Sequence, residues 1–335
     1  MKKSKFLFKI LLFLNLFFIV IQQLLLESSS LGLELPLLIL FIPILCLINL
    51  FFFSFWFFRF KWPVLISILF FLANLSSWQL IYQIKPNAIS ISESLKVMSF
   101  NVRAFNRFKW LDLKKVPESI EKFIQKKSPD IICFQEYDNK LSPNFDEYKF
   151  KIFKPYKNNG RVGSCIVSKY PLVNGKEIVF ENSLNGGMQS DLIWKRDTLR
   201  IYNIHFESLK INSKDTIFSS EYSKKILNKL RKVFTLQRNQ MSMFLELIHK
   251  NKLPEIICTD LNNNSFSDIY NFISKGRNDA FLEKGSGFGS TYRFPFFPLR
   301  IDYIFTSKNI KVLDFKTYDI NLSDHKPILA KLQWP

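Results

Sequence analysis

Glycine and histidine are scarce in this chain of 335 residues, with ten and three copies. No GxGxxG or GxxxxGK run occurs, which excludes the two common glycine-rich phosphate cradles. Cysteine is also sparse. Cys46 lies in a long apolar run, and Cys133, Cys165 and Cys258 each lie in a strand-like stretch. An odd number outside the apolar run cannot all pair within the chain, and the spacing fits no zinc site. Buried free thiols are therefore expected. Acidic residues are outnumbered, 28 against 47 Lys and Arg, for a net charge of +19.

Apolar sequence is abundant. The chain is 47% hydrophobic with 37 Phe, and it is almost unbroken in apolar character from Phe6 to Ile84. Three membrane spans are expected there, near Phe6–Leu26, Leu37–Phe58 and Trp62–Tyr82, each with roughly the 20 apolar residues a bilayer core requires. A cleaved signal peptide is the rival for the first, but no small-residue cleavage site follows it. Lys2, Lys3, Lys5 and Lys9 open the first span, "ESSSLGLE" carries no Lys or Arg, and "RFKW" carries Arg59 and Lys61. Basic loops stay in the cytoplasm, so the N-terminus is expected inside and the C-terminal portion outside, periplasmic or extracellular in a bacterium. The division expected is an anchor over 1–84, a polar linker over 85–94 ("KPNAISISES") and a C-terminal domain over 95–335.

Setting aside the seven basic and two acidic residues of positions 1–85 leaves 40 basic and 26 acidic. Such a body favours polyanions or anionic membrane surfaces, although a generally Lys-rich surface reads the same way. Its pattern is short apolar strands separated by helices. Strands are expected at Leu95–Val102, Ile131–Gln135, Ser164–Ser168, Ser190–Trp194, Arg200–His205, Glu255–Thr259, Arg300–Thr306 and Ile328–Leu332. Helices are expected at Val116–Lys126, Ser220–His249 and Ser267–Lys275. The mixture indicates a two-sheet α/β core.

Six of these strands begin or end in polar residues suited to one cleft. "VMSFNVRAF" ends in Asn101, "PDIICFQEYD" in Gln135 and Glu136, and "LRIYNIHFES" in His205. "PEIICTDLNNNSFSD" ends in Asp260, with Asn262 two residues on, "LRIDYIFTS" holds Asp302, and "NLSDHKPIL" opens on Asp324 and His325. Singly, Asn101 or Asp260 is a turn cap and Glu136 an exposed charge. Asp302 resists that reading, because a carboxylate inside an apolar strand is costly unless paired. His325 is its natural partner if the two strands are neighbours.

The ordered series "FNV", "FQE", "GSCIVSKYPL", "NIHFES", "TDLNNNSFSD", "RIDYIF" and "SDHKPI" resembles the endonuclease/exonuclease/phosphatase superfamily, whose members include DNase I, sphingomyelinases and inositol-polyphosphate 5-phosphatases. The resemblance covers nearly all of Leu95–Leu332. It implies an α/β (α+β) fold, a four-layer αββα sandwich of two mostly antiparallel sheets, here preceded by three transmembrane helices. It also implies phosphoester hydrolysis assisted by Mg²⁺ or Mn²⁺. Glu136 would be a hard oxygen ligand with Asn101 beside it, and Asp324 a further metal-side carboxylate. His325, held by Asp302, would be a general base or stabilise the phosphoryl group. Asp260 and Asn262 would align the attacking water, and His205 would stabilise the phosphoryl group or protonate the leaving oxygen. Arg103, Tyr292 and Arg300 are the expected substrate contacts. Abasic-site endonucleases carry an acidic residue where this chain has Arg103 and a Tyr where it has His205, so DNA repair of that kind is disfavoured.

The loop "STYRFPFFPLR" holds Tyr292, Phe294, Phe296 and Phe297 with Arg293 and Arg300. These either form a lipid-facing lip or pack beneath the loop. The substrate expected is a phosphodiester or phosphomonoester, lipid or nucleic acid. A nuclease acting outside the cytoplasm and a non-catalytic domain binding a phosphorylated ligand are the alternatives.

Overall fold

The computed structural model describes residues 2–28, 36–84, 93–209, 220–294 and 297–334. Two units emerge: residues 1–82 with Ser265–Asp268, and Gln83–Asn264 with Ile269–Pro335. Most of the linker expected at 85–94 lies outside the described residues.

Among its described residues the second unit holds twelve strands: β1 (Leu95–Asn101), β2 (Ile131–Asp138), β3 (Phe150–Pro155), β4 (Val162–Ser168), β5 (Leu172–Val179), β6 (Gly186–Trp194), β7 (Asp197–His205), β8 (Glu255–Asp260), β9 (Arg277–Asp279), β10 (Asp302–Ser307), β11 (Lys311–Thr317) and β12 (Ile328–Gln333). They form two six-stranded sheets, ordered β11-β12-β1-β2-β4-β3 and β5-β6-β7-β8-β10-β9. In each sheet one central pair is parallel, β1 with β2 and β7 with β8, and the other pairs are antiparallel. A parallel pair delivers two C-terminal strand ends to the same sheet edge. Asn101 is therefore level with Gln135, and His205 with Asp260.

The inner faces alternate Leu95, Val97, Ile131, Cys133 and Ile166 of one sheet against Met188, Ile201, Ile256, Cys258 and Ile304 of the other. Each such side chain contributes roughly 1.5–3 kcal/mol of burial. On the outer face of the first sheet the helix Val116–Lys127 buries Val116, Ile120 and Ile124 against Phe100, Ile132 and Phe134. The helix Ser220–His249 packs Phe244 edge-on to Tyr202 and Phe206 of the second. The arrangement is thus a sandwich of two mixed sheets with flanking helices. All four cysteines are free and buried, and burial pushes the Cys165 thiol up to about 12.

The eight strands expected from sequence are all present. The four that were not anticipated, β3, β5, β9 and β11, are the edges of the two sheets. Edge strands are half-solvated and interrupt their apolar residues with charge, as in "FKIFKP" and "LVNGKEIV", so they lack the continuous run that marks an inner strand.

The helical unit corrects the expectation of three equal spans. Among the described residues one helix, Lys2–Leu26, is long and apolar enough to cross a membrane, while Ile42–Phe58 and Val64–Ala73 are shorter. Val64–Ala73 has ten residues and rises only about 15 Å, half a bilayer core. Asn74 ends it, its backbone leaving helical geometry while its amide donates to the Phe70 carbonyl, and Leu75–Gln79 starts anew. Polar side chains within the first two long helices pair with one another. Asn49 donates to Gln22 at 2.7 Å, and the Trp56 indole donates to Asn15 at 3.0 Å.

Candidate active site

The two sheets bring their polar strand ends together, and one amide spans them. Asn101 Nδ2 donates to Glu136 Oε1 of its own sheet at 3.2 Å and to Asp260 Oδ2 of the other at 2.9 Å. Asn101 Oδ1 accepts from the Arg103 backbone N–H, and its carbonyl accepts from Ser323 Oγ. Glu136 reaches this position through a bulge in β2. The register with β4 shifts between Phe134 and Tyr137, and Glu136 takes a positive φ of 49°. That conformation is costly for a non-glycine residue and is often found at functional sites. Tyr156 secures it by accepting the Glu136 N–H at 3.2 Å.

Asp302 and Asp260 face each other across the β8–β10 ladder. Asp302 grips His325 Nδ1 with both oxygens, at 3.1 and 3.0 Å. The other ring nitrogen, Nε2, lies 3.7 Å from Asp260 Oδ2. Ser323 Oγ accepts the His325 N–H, and Tyr292 lays its ring edge-on to the imidazole, 5.1 Å between centroids. His205 Nε2 approaches the same Asp260 oxygen at 3.4 Å and Glu136 Oε1 at 3.8 Å, and the Asn185 amide contacts it at 3.2 Å. Asp260 Oδ1 accepts the Asn262 backbone N–H, while the Asn262 amide donates to the Phe206 carbonyl.

The electrostatics follow from this packing. Burial works to lower the His325 pKa, but Asp302 and Asp260 outweigh it and hold the imidazole well above its ordinary value. Burial raises the Asp260 carboxyl, as does Asp302, against the pull of His325 and His205. Burial likewise raises Glu136, opposed by His325 and the Asn101 amide, although 34% of the Glu136 side chain stays accessible.

Asp260, Asp302 and His325 each bring a ligand atom within 4.8 Å of the others, a spacing that suits one divalent cation. His325 Nδ1 is already taken by Asp302, and its ring lies between the two carboxylates. The residue type a hard cation prefers, an accessible carboxylate, is found at Glu136, with the Asn101 amide and the Asp260 carboxylate beside it. The donor set therefore fits a divalent metal.

A sequence profile of the Endonuclease/Exonuclease/phosphatase family matches residues 98–325. The chain belongs to this family. A search of curated proteins gave no match. Among solved structures the family fold is similar to the human Nocturnin catalytic domain with bound sulfate (17% identity, 74% of this chain and 97% of that one, TM-score 0.54). It is also similar to TDP2 of D. rerio complexed with a single-strand DNA product (16%, 72% and 100%, 0.54). A third is an endonuclease/exonuclease/phosphatase from Bacteroides vulgatus (17%, 73% and 100%, 0.52). At these identities the likeness is one of fold.

The site residues named from sequence separate into two groups. Asn101, Glu136, His205, Asp260, Asn262, Asp302 and His325 converge, with Tyr292 against His325. Asp324, expected on the metal side, is engaged by Arg103 Nη1 at 2.8 Å. Arg103, expected to meet substrate, also stacks on Trp110 at 4.1 Å. Arg300 is a correction. It is 5% exposed, pairs with Asp279 Oδ2 at 2.6 Å, and lies over the rings of Phe281 and Tyr303. It belongs to the core, because the backbone before β10 has not yet taken up strand alternation and sends Arg300 away from Asp302.

Of the two readings of the aromatic loop, the described residues lean toward packing beneath it. Phe294 and Phe297 are half-buried against each other, 4.9 Å between centroids, and Arg293 pairs with Asp319. Phe296 lies outside the described residues. Sequence reasoning missed Asn185, Tyr156, Ser323 and Thr291, whose hydroxyl accepts the Asp302 N–H. It also missed Asn203, which accepts from Gln135 at 2.8 Å and donates to the Phe134 and Cys165 carbonyls between the sheets. Only Asn203 left a signal, an amide inside the apolar strand "IYNIHF".

Proposed function

We propose that the chain is a divalent-metal-dependent phosphoester hydrolase tethered to a membrane by its N-terminal helix. The observation that carries this is the convergence of Asn101, Glu136, Asp260, His205 and the Asp302–His325 pair at one edge of the two sheets. Glu136 would hold Mg²⁺ or Mn²⁺ with Asn101 beside it, and the bound ion would polarise the phosphoryl oxygens and offset charge developing there. Asp260 is fixed through both oxygens by Asn101 and the Asn262 N–H. Its raised carboxyl pKa suits a base accepting the proton of an attacking water. His325, whose pKa Asp302 and Asp260 raise, would supply positive charge to the phosphoryl group. His205 is the second imidazole, placed to stabilise that group or to protonate the leaving oxygen. Tyr292 packs the His325 ring, and Arg103 lies at the rim.

The substrate is a phosphodiester or phosphomonoester, and a phospholipid headgroup suits a membrane-tethered enzyme. A nuclease is the second reading, supported by the basic body and by the TDP2 neighbour, whose structure holds a DNA product. Assays on sphingomyelin, phosphatidylinositol phosphates, phosphatidylcholine, RNA and plasmid DNA, each with Mg²⁺ and with EDTA, test this. Metal-dependent release from at least one lipid is expected. Cleavage of nucleic acid alone would favour the nuclease, and no metal-dependent turnover on any of them would favour a binding domain. Lys2, Lys3, Lys5 and Lys9 at the start of the N-terminal helix favour a body outside the cytoplasm. A C-terminal alkaline phosphatase fusion should therefore be active.

A further inference from the structure

The segment leaving β1 is built in an unusual way. Arg103, Ala104, Phe105 and Asn106 all take positive φ, at 43°, 50°, 51° and 62°, a left-handed turn without a glycine. Such a run persists only where its surroundings over-determine it. Three contacts do so here. Arg103 pairs with Asp324, beside His325. Phe105 is buried against Tyr137 and Phe134. Asn106 closes the loop by donating to the Leu111 carbonyl and accepting the Leu111 N–H.

The product of this clamp is an exposed tip, Arg107-Phe108-Lys109-Trp110, followed by exposed Leu113, Lys114 and Lys115. Phe108 is 59% exposed, Trp110 49% and Leu113 45%. Large apolar side chains interleaved with cations, with Asp112 the one acid among residues 107–115, suit the headgroup region of an anionic bilayer. Base stacking is less well served. One face of Trp110 is already covered by Arg103, and Phe108 is tilted 60° to it, so the two rings form no continuous platform. Leu113 adds nothing to stacking.

We propose that the 107–115 tip seats on an anionic lipid surface and presents membrane phosphoesters to the site, with Arg103 linking the tip to Asp324 and the catalytic strand. This rests on the hydrolase reading for its catalytic part and stands independently of it for the binding part.

The test uses the full chain in nanodiscs of phosphatidylglycerol or phosphatidylcholine, with an environment-sensitive fluorophore on Phe108→Cys; the native cysteines are buried. A blue shift in phosphatidylglycerol over phosphatidylcholine, abolished by Lys109→Glu with Lys114→Glu and Lys115→Glu, is expected. Equal emission in the two lipids would overturn the proposal, whatever the enzymatic result. In mixed micelles, Phe108→Ser with Leu113→Ser should raise the half-saturating surface concentration of lipid substrate about tenfold, with kcat and soluble bis-p-nitrophenyl phosphate turnover unchanged. Unchanged lipid kinetics, or a fall confined to single-stranded DNA cleavage, would contradict it. If the unmodified chain turns over no substrate, the hydrolase reading fails, and the fluorescence result alone decides the tip.

Discussion

Two buried ion pairs stand almost side by side in the sequence. Asp302 holds His325, Arg300 holds Asp279, and all four residues are at most 5% exposed. The Arg300 pair is closed by aromatic rings, with Phe281 4.5 Å, Tyr303 4.6 Å and Tyr270 5.6 Å from the guanidinium carbon. Burial tends to lower the Arg300 pKa, but Asp279 more than compensates, and the charge is permanent. The His325 pair instead borders a second carboxylate, Asp260, and the partly accessible Glu136. Buried charge therefore does not by itself identify a reaction centre. What distinguishes the candidate site is a cation able to titrate, an additional carboxylate on its far side, and access from outside through Glu136.

This contrast can be broken at several points. The largest effect is expected for His325→Gln, which can still donate to Asp302. Turnover should fall on the order of a thousandfold, as for loss of a group acting on the transferred proton or phosphoryl charge, with the protein still folded by circular dichroism. Arg300→Met should show the opposite profile. Leaving Asp279 buried without its cation costs about 3–5 kcal/mol, seen as a lower denaturant midpoint, and Asp279→Asn added to it should restore most of the loss. The folded fraction should keep its kcat. Glu136→Gln should reduce turnover roughly a hundredfold, consistent with a lost charged ligand, and abolish the response to added metal. Its melting temperature should hold or rise slightly, since burial already disfavours the charged carboxyl.

The smallest effect is in pH. His325 has a folded-state pKa above its unfolded value of about 6.5. The stability it contributes is thus fully present below that value and is lost as pH rises through the folded one. Denaturation series should show the wild type losing stability relative to His325→Gln on the alkaline side. A constant difference across that range would mean that His325 is not held protonated.

Most of this site could be read from the sequence because its residues sit where inner strands end, and an inner strand carries an unmistakable apolar run. Asn101, His205 and Asp260 are of this kind, Asp302 opens an inner strand, and Glu136 lies at a bulge near the end of another. Edge strands β3 and β5 could not be seen, since they mix Lys with apolar residues, while β9 is only three polar residues and β11 breaks its short apolar run with Asp314. Arg300 was misjudged for a related reason. Two residues before Asp302, strict alternation would place it on the same face, but the backbone becomes regular only from Asp302 onward. Tyr156, Asn185 and Ser323 come from loops or an edge strand, where a hydroxyl or amide looks like any turn residue. The "RFKW" tip was equally silent, because its exposure depends on a left-handed turn that no glycine announces. Among the apolar helices, hydropathy located the segments, but the breaks at Asn74 and before Ile42 left one of full membrane-crossing length.

The central claim is that the Asp302–His325 pair acts on substrate while the Asp279–Arg300 pair only holds the fold. Steady-state hydrolysis of bis-p-nitrophenyl phosphate, titrated with Mg²⁺, tests it directly for the wild type, His325→Gln, and Arg300→Met with Asp279→Asn. Metal-dependent turnover in the wild type and the Arg300/Asp279 variant alike, with a loss of about a thousandfold in His325→Gln, is the predicted result. Turnover in His325→Gln equal to that of the wild type would contradict it.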